Sequence, residues 1–215
     1  MQTPAAKRRV TAVFFDVGET LVDETRHWAG WARWLGAPEL TFFATLGALL
    51  ARGQEHGRVF EVFRPGFDLE RERAARRRAG DDDAFDERDL YPDAAPCLRA
   101  LRGAGCLVGV AGNQSDPAMI ARLGAPADIV TCAGQLGASK PSTEFFERIA
   151  DLARRPAGEI AYVGDRLDHD ILPAMRAGML AVHIRRGAWA LLEPGAACPC
   201  ASITSLAELP ATIAV

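Results

Sequence analysis

Three aspartates stand just after apolar runs of the chain, or one helical turn beyond them. Asp16 follows the β-branched and aromatic run 10–15, and Asp165 comes just after the apolar run 160–163, with Asp170 five residues later. A carboxylate at the end of a buried strand costs free energy unless a metal ion or a substrate group pairs with it. Grouped carboxylates suit Mg²⁺, a hard cation that takes oxygen ligands. These residue types therefore predict a Mg²⁺ site.

A lysine and a glycine-containing strand end supply what an anion would need beside this metal site. Pro141 biases Lys140 toward an extended conformation, so its ammonium group would face the site from a fixed position. Gly112 and Asn113 close a predicted strand and offer backbone N–H groups that can hold an anion. Each feature alone is common in proteins. All of them in order, at the ends of alternating strands, predict one site for an anionic substrate.

The elements that position these residues alternate along the chain. Five apolar runs are predicted strands: residues 10–15, 107–111, 128–131, 160–163 and 180–184. Three periodic segments are predicted helices: residues 94–103, 142–154 and 168–177. Strands that alternate with helices imply right-handed βαβ units and a mostly parallel sheet. The predicted fold is therefore a doubly wound α/β sheet, in which ligands bind beyond the carboxyl ends of the strands.

The segment 23–90 differs from the rest of the chain, because it has helical periodicity, few β-branched residues and no clear strand. Three predicted helices lie in it: residues 24–36, 38–56 and 68–80. We interpret the segment as a small helical cap domain, inserted into a core domain of residues 1–22 and 91–215.

Two patterns in this segment have both a structural and a functional interpretation. Trp28, Trp31 and Trp34 recur at three-residue spacing. This pattern is more typical of side chains packed in a core than of side chains that line a substrate pocket. The basic run 71–78 is followed by acidic residues, which favours a solvated helix end over a surface that steers phosphate.

The overall composition excludes several classes of protein. The chain has 215 residues, a net charge of −3 and a pI of about 5.8, which argues against binding to nucleic acids or anionic membranes. No apolar run is long enough to cross a bilayer, and the polar N-terminus is unlike a secretory signal, so we expect a cytoplasmic protein. The five cysteines do not suggest a disulfide framework, and Cys198 and Cys200 are interpreted as thiols. The sequence does not indicate an oligomeric state.

The order of these features resembles the haloacid dehalogenase superfamily over nearly the whole chain. Phosphatases of that superfamily carry a nucleophilic Asp after the first strand, a Ser/Thr-Asn pair after the second, a Lys, and a Gly-Asp followed by a later Asp. The segment 90–105 is similar to the return from their helical cap into the core. The resemblance implies a Mg²⁺-dependent hydrolase that acts on a small phosphorylated substrate through an aspartyl-phosphate intermediate.

The resemblance also implies a role for each residue of the site. Asp16 would attack phosphorus, and Lys140 would neutralise both Asp16 and the phosphoryl group. Asp16, the carbonyl of Gly18 and Asp165 would hold Mg²⁺, and Asp170 would support the metal.

Two positions depart from the superfamily's pattern. Gly18 stands where its phosphatases have a second Asp that protonates the leaving group, and Gly112 stands where they have a phosphate-binding hydroxyl. The backbone N–H groups of Gly112 and Asn113 would then bind the substrate's phosphate without it. A substrate with a good leaving group, such as an acyl phosphate, would need no acid; otherwise Glu19 or His27 would supply the proton.

Two other functions are compatible with these departures. A regulatory protein that binds phosphate or a phosphorylated partner without turnover needs no acid at position 18. A 2-haloacid dehalogenase needs Asp16 and Lys140 alone, although the pair Asp165 and Asp170 argues for a cation and against this activity. His169 and His183 are interpreted as structural residues, because a base requires suitable geometry before a suitable pKa.

Overall fold

The computed structural model describes residues 9–81, 84–192 and 198–213, and a sheet of six parallel strands forms its centre. The strands are β1 (Ala12–Phe15), β2 (Leu107–Gly112), β3 (Ile129–Cys132), β4 (Ile160–Gly164), β5 (Leu180–Ile184) and β6 (Ala201–Ile203). Their order is β3-β2-β1-β4-β5-β6, so the chain winds one way from β1 to β3 and the other way from β4 to β6. Ligands bind where the strand order reverses, which here is beside β1. The predicted doubly wound α/β fold is confirmed.

Strand β1 shows why apolar runs form this sheet. All four of its residues are buried, since helices cover both faces of a parallel sheet. Val13 and Phe15 pack into the hydrophobic cluster on one face, whereas Ala12 and Phe14 pack into the cluster on the other. This alternation follows the two-residue period of a strand. As the central strand, β1 has β2 and β4 as its neighbours.

Helices cover the sheet and fill the segment between β1 and β2. The α-helices of the described residues are α1 (Thr25–Trp34), α2 (Glu39–Leu50), α3 (Arg58–Phe63), α4 (Leu69–Arg78), α5 (Ala94–Gly103), α6 (Ala118–Ala121), α7 (Ala133–Leu136), α8 (Thr143–Ala153), α9 (Leu172–Arg176), α10 (Gly187–Leu192) and α11 (Leu209–Thr212). Short 3₁₀ turns cover Glu87–Asp89, Ala157–Glu159 and Leu206–Glu208, and a π-helical turn covers Leu167–Ile171.

The five predicted strands and the three predicted helices of the core are present with small changes in length. The prediction 94–103 matches α5, and the prediction 142–154 matches α8. The predicted helix 168–177 begins as the π-helical turn and continues as α9. Strand β6 was not predicted, because Ile203 is the one fully buried residue of its three and so the strand has no apolar run.

The helices α1–α4, which we call the inserted helices, occupy the segment that the sequence assigns to a cap. They pack around an aromatic cluster that includes Trp28, Trp31 and Phe60 and is separate from the two clusters of the sheet. The predicted helix 38–56 was too long: it ends with α2, because the chain turns at Gly53, whose φ is 67°. Helix α3 was not predicted, since its six residues are too few to show a helical period.

Two predictions about the whole chain are not tested by this fold. The boundaries of the cap domain, residues 23–90, stay a prediction. Among the described residues, no helix has the length and apolar character that a membrane span requires. The expected cytoplasmic location also stays a prediction.

The cysteines differ in part from the prediction. Cys97, Cys106 and Cys132 are buried free thiols, as expected. Cys198 and Cys200 form a disulfide, so their interpretation as thiols was wrong. Their Cα atoms are 5.2 Å apart, a usual separation for bonded cysteines. The chain bends sharply over the one residue between them, which the sequence pattern did not indicate.

Candidate active site

Three aspartate side chains meet at the carboxyl edge of the sheet. Asp16 follows β1 and Asp165 follows the neighbouring strand β4, so both lie beside the point where the strand order reverses. One oxygen of each, together with one of Asp170, lies within 4.8 Å of the others. The Asp16 N–H donates to the Val163 carbonyl at 2.9 Å, which fixes the backbone at the end of β1. The structure therefore brings together the three carboxylates that the sequence assigned to a metal site.

Asp170 reaches this cluster from the π-helical turn. Its side chain is fully buried, and the Arg166 N–H donates to its Oδ2 atom at 3.0 Å. A Cβ atom on Gly164 would lie 2.4 Å from Cγ of Asp170, far closer than van der Waals contact allows. Glycine is therefore required at position 164, so that Asp170 can approach the end of β4.

Lys140 joins two of these carboxylates. Its Nζ atom donates to Oδ1 of Asp16 and to Oδ1 of Asp170, at 2.6 Å in both cases. The Asn113 side chain holds the lysine backbone: its Oδ1 accepts from the Lys140 N–H at 2.8 Å, and its Nδ2 donates to the Lys140 carbonyl at 3.0 Å. Asn113 therefore positions Lys140, a role that the sequence did not indicate. Phosphate binding by the N–H groups of Gly112 and Asn113 stays a prediction.

The cluster holds more negative than positive charge. Burial, together with the carboxylates of Asp170 and Asp16, raises the pKa of Asp165 well above its usual value. Burial also raises the pKa of Asp16, despite the neighbouring ammonium group. Although burial lowers the pKa of Lys140, its ion pairs with Asp16 and Asp170 hold that pKa well above its usual value. Lys140 is thus a cation at neutral pH that partly neutralises the cluster.

The donor set fits a small divalent cation. Asp16, Asp165 and Asp170 bring carboxylate oxygens into a small volume, and oxygen is the ligand that Mg²⁺ prefers. Three ionised carboxylates beside one ammonium group leave an excess of negative charge that is costly to bury. A divalent cation would remove this excess. The residues present therefore fit the predicted Mg²⁺ site, and the Gly18 carbonyl stays a predicted ligand.

Mg²⁺ should stabilise the protein more at high pH than at low pH. Because the folded-state pKa of Asp165 is raised, the folded protein keeps a proton there at pH values where the unfolded chain has lost it. The stability that this proton provides is present at low pH and is lost as the pH rises through the folded-state pKa. A cation replaces the proton, so the Mg²⁺-induced rise in Tm should be larger at about pH 8 than at about pH 5.

Thermal unfolding of EDTA-treated protein, with and without added Mg²⁺ at the two pH values, measures this difference. Asp165→Asn should lose most of the Mg²⁺-induced rise in Tm. Asp151→Asn, which changes an exposed aspartate of α8, should keep it. Equal rises at both pH values would contradict the expectation.

A carboxyl group that the sequence reasoning missed lies beside the loop after β1. A Cβ atom on Gly18 would lie 2.4 Å from Oε1 of Glu24, and the Trp28 indole N–H donates to Oε2 of Glu24 at 3.0 Å. Burial, together with the nearby carboxylate of Glu19, raises the pKa of Glu24 to about 8. In the sequence Glu24 is one of two acids just before a helix, a pattern typical of any helix N-terminus. It therefore offered no signal of its own.

Glu19 and His27, the two residues predicted as possible proton donors to the leaving group, make other contacts. Oε2 of Glu19 accepts from the Tyr91 hydroxyl at 2.6 Å, and Oε1 accepts from the Glu24 N–H at 3.1 Å. Both oxygens of Glu19 are engaged, so this side chain braces the loop after β1. The His27 ring packs against Phe85, with ring centroids 5.1 Å apart.

The contacts of the two other candidate histidines agree with a structural interpretation. Nε2 of His183 lies 2.8 Å from the carbonyl oxygen of Asp165, where it helps to hold the strand end. Nδ1 of His169 lies 2.9 Å from the Asp168 carboxylate. Because His169 also lines the cavity together with Asp16, its structural interpretation stays a prediction.

A cavity of about 600 Å³ lies between the carboxylate cluster and the inserted helices. Asp16 and Lys140 line it on the side of the sheet. Four aromatic residues line it on the side of the inserted helices: Trp28, Trp31, Phe60 and Phe67. The charged side chains of Glu55, Glu61, Glu70 and Arg73 line it as well, and so do Phe85 and Trp189. A substrate bound here would therefore contact the carboxylate cluster at one end, and both aromatic rings and charged side chains at the other.

The tryptophans and arginines of the inserted helices have mixed roles. Trp28 and Trp31 pack in the aromatic cluster, as predicted, and also line the cavity. Trp34 donates from its indole N–H to Glu72 at 2.8 Å. From the basic run 71–78, Arg73 lines the cavity, whereas the Arg76 guanidinium is buried over the Trp31 ring.

Two comparisons of the sequence with known proteins agree with this geometry. A family model described as haloacid dehalogenase-like hydrolase matches residues 10–178. The chain is also similar to the glyceraldehyde 3-phosphate phosphatase of Methanopyrus kandleri, with 36% identity over 152 residues, which are 66% of this chain and 64% of that protein. The chain thus matches less than two thirds of that relative's length.

The structure is similar to solved structures over almost its whole length. YfnB of Bacillus subtilis, a haloacid dehalogenase-type hydrolase solved with magnesium bound, has a TM-score of 0.71 and 19% identity, and the match covers 96% of this chain and 100% of that one. The 2-haloacid dehalogenase of Pseudomonas syringae pv. tomato has a TM-score of 0.58 and 23% identity, with 95% and 98% covered. At these identities the likeness shows a shared fold and no more.

Proposed function

This chain belongs to the haloacid dehalogenase-like hydrolase family, and from that membership we propose that it is a Mg²⁺-dependent phosphatase of a small phosphorylated metabolite. One observation carries the proposal: Nζ of Lys140 lies 2.6 Å from both Asp16 and Asp170, in the same cluster as Asp165. This cluster lies at one end of a cavity. A carboxylate nucleophile held beside positive charge is what attack on an anionic phosphate requires.

In the proposed reaction, a carboxylate oxygen of Asp16 attacks phosphorus, and the bond from phosphorus to the leaving-group oxygen breaks. Water then hydrolyses the aspartyl-phosphate to inorganic phosphate and free Asp16. Lys140 favours the ionised form of Asp16 and reduces its repulsion from the phosphate dianion. Mg²⁺, held by Asp16, Asp165 and the carbonyl of Gly18 with support from Asp170, would supply further positive charge at the phosphoryl oxygens.

We propose that the backbone N–H groups of Gly112 and Asn113, at the end of β2, donate hydrogen bonds to the phosphoryl oxygens. Strand β2 is a neighbour of β1, and the two hydrogen bonds between Asn113 and Lys140 keep this strand end close to the lysine. A Cβ atom on Gly112 would lie 2.3 Å from Oε1 of Gln114. Because the Gln114 side chain is flexible and can move aside, this close approach does not by itself require glycine at position 112.

The cavity favours a leaving group larger than a triose. Its volume of about 600 Å³ lies within the range of pockets that bury drug-sized ligands. Part of its wall is aromatic, and flat or apolar groups pack well against such rings. We therefore propose a phosphate monoester whose leaving group has a ring or an extended apolar part, although the relative from M. kandleri is named for glyceraldehyde 3-phosphate.

Phosphate release from a panel of monoesters and acyl phosphates, with Mg²⁺ or with EDTA, tests the proposal. We expect release that falls by about 100-fold or more in EDTA, because a bound metal stabilises the transition state by several kcal/mol. Excess Mg²⁺ should restore it, which controls for damage by the chelator. Within the panel, kcat/KM should be higher for ring-bearing monoesters than for glyceraldehyde 3-phosphate.

Other results would favour the two other functions. Chloride release from 2-haloacids in EDTA, without phosphate release, would identify a dehalogenase. Binding of inorganic phosphate without turnover of any panel member would identify a binding protein. Either outcome would contradict the proposed phosphatase.

A further inference from the structure

We propose that Glu24 donates the proton to the leaving group, a step that Gly18 cannot perform; this inference rests on the proposed phosphatase function. The Glu24 carboxyl lies where a side chain on Gly18 would lie. A Cβ atom on Gly18 would be 2.4 Å from Oε1 and 2.9 Å from Cδ of Glu24, and the three atoms nearest to it all belong to that carboxyl group. Gly18 is two residues after Asp16, so the Glu24 carboxyl lies beside the predicted nucleophile's loop.

The path of the loop explains why Glu24 returns to this position. The Val22 N–H donates to the Val17 carbonyl at 3.0 Å, and the Glu19 N–H donates to the Val22 carbonyl at 2.8 Å. These hydrogen bonds close a tight turn after β1. The chain therefore comes back on itself, and Glu24 lies against Gly18 although five residues separate them along the chain.

Contacts on both sides fix the Glu24 side chain. The Trp28 indole N–H donates to its Oε2 at 3.0 Å, and the backbone N–H of Glu24 donates to Oε1 of Glu19 at 3.1 Å. The Tyr91 hydroxyl in turn donates to Oε2 of Glu19 at 2.6 Å. With Oε2 held by the indole, Oε1 faces Gly18, and both Glu24 and Asp16 line the cavity.

The proton transfers balance over one cycle. Asp16 attacks phosphorus, the phosphorus–oxygen bond of the ester breaks, and the departing alkoxide takes the proton of Glu24. In the second half-reaction the Glu24 carboxylate accepts a proton from the attacking water, the bond between Asp16 and phosphorus breaks, and inorganic phosphate leaves. Glu24 ends the cycle protonated, and water is the one further reactant.

The dependence of rate on the leaving group tests this role. For Glu24→Gln we expect kcat/KM to fall by about 100-fold for alkyl phosphates, whose alkoxides need a proton, and by less than about tenfold for p-nitrophenyl phosphate. A plot of log kcat/KM against leaving-group pKa should become steeper. Glu147→Gln, at an exposed position of α8, should leave the plot unchanged. A structural defect would instead lower kcat/KM by the same factor for every substrate.

A second readout follows the covalent intermediate directly. Loss of Glu24 also removes the base of the second half-reaction, so Glu24→Gln should accumulate aspartyl-phosphate during turnover of p-nitrophenyl phosphate. Intact mass after an acid quench detects that species. The wild-type protein and Glu147→Gln should show little of it.

A third test asks whether a carboxyl group placed at position 18 can replace that of Glu24. The backbone at Gly18 lies outside the left-handed region, and the Glu24 carboxyl is what a side chain there would meet first. The double variant Glu24→Ala with Gly18→Asp should therefore recover about tenfold or more of the alkyl-phosphate activity that Glu24→Ala loses. Thermal unfolding identifies variants that fail to fold.

Two results would overturn the role of Glu24 and leave the proposed phosphatase function standing. One is an unchanged dependence of rate on the leaving group in folded Glu24→Gln, and the other is no recovery of alkyl-phosphate activity in the folded double variant. A wild-type protein that releases no phosphate from any substrate would instead overturn the proposed phosphatase function, and with it this inference.

Discussion

Asp16→Asn should reduce Mg²⁺-dependent phosphate release by about 10⁴-fold or more, the order of loss expected when a covalent nucleophile is removed. An amide oxygen is a poor nucleophile toward phosphorus, so no aspartyl-phosphate can form. The fold should survive, because asparagine has nearly the same shape and Lys140 keeps its 2.6 Å contact with Asp170. Steady-state kinetics and thermal unfolding of the purified variant measure the two effects separately.

Asp151→Asn is the matched control for this loss. It makes the same chemical change at an exposed site on α8, where kcat/KM should stay within about twofold of the wild-type value, as for most surface substitutions. If the Asp16→Asn variant keeps more than about a tenth of the wild-type kcat/KM, Asp16 is not the nucleophile.

Lys140→Met should lower the free energy of unfolding by about 3–5 kcal/mol, because it leaves buried carboxylates without their cation. The Lys140 side chain is buried and contacts both Asp16 and Asp170. Activity should fall by about 10²–10³-fold as well, since the variant loses a charge that stabilises the attack on phosphate. Urea unfolding in EDTA measures the loss of stability.

Arg102→Met is the control for the lysine. Its ion pair with Asp128, at 2.8 Å, is half exposed, and loss of such a surface pair should cost less than about 1 kcal/mol. Added Mg²⁺ should restore part of the stability of Lys140→Met, because it returns positive charge to the same carboxylates. A Lys140→Met variant as stable in EDTA as Arg102→Met would show that the cluster does not need its ammonium group.

The sequence by itself determined five of the six strands in the described residues, and the carboxylates that follow two of them. The short runs before Asp16 and Asp165 are rich in β-branched and aromatic residues, which favours buried strands, and parallel strands have their carboxyl ends at one edge of the sheet. Two aspartates far apart in the chain were thereby predicted to meet, and they do. Lys140 was recognised from the order of motifs, but its simultaneous contact with Asp16 and Asp170 depends on the path of the chain between β3 and α8.

The tertiary structure decided which other side chains enter the site. The backbone N–H of Asn113 stays a predicted phosphate ligand, and only the tertiary structure shows that the Asn113 side chain holds the Lys140 backbone. Glu24 resembles an ordinary acid before a helix, and only the turn after β1 brings its carboxyl to Gly18. Periodicity reports which face of an element is buried, but a side-chain contact between two loops depends on their paths in space. The strand ends could therefore be inferred from local sequence, whereas the partners that complete their chemistry could not.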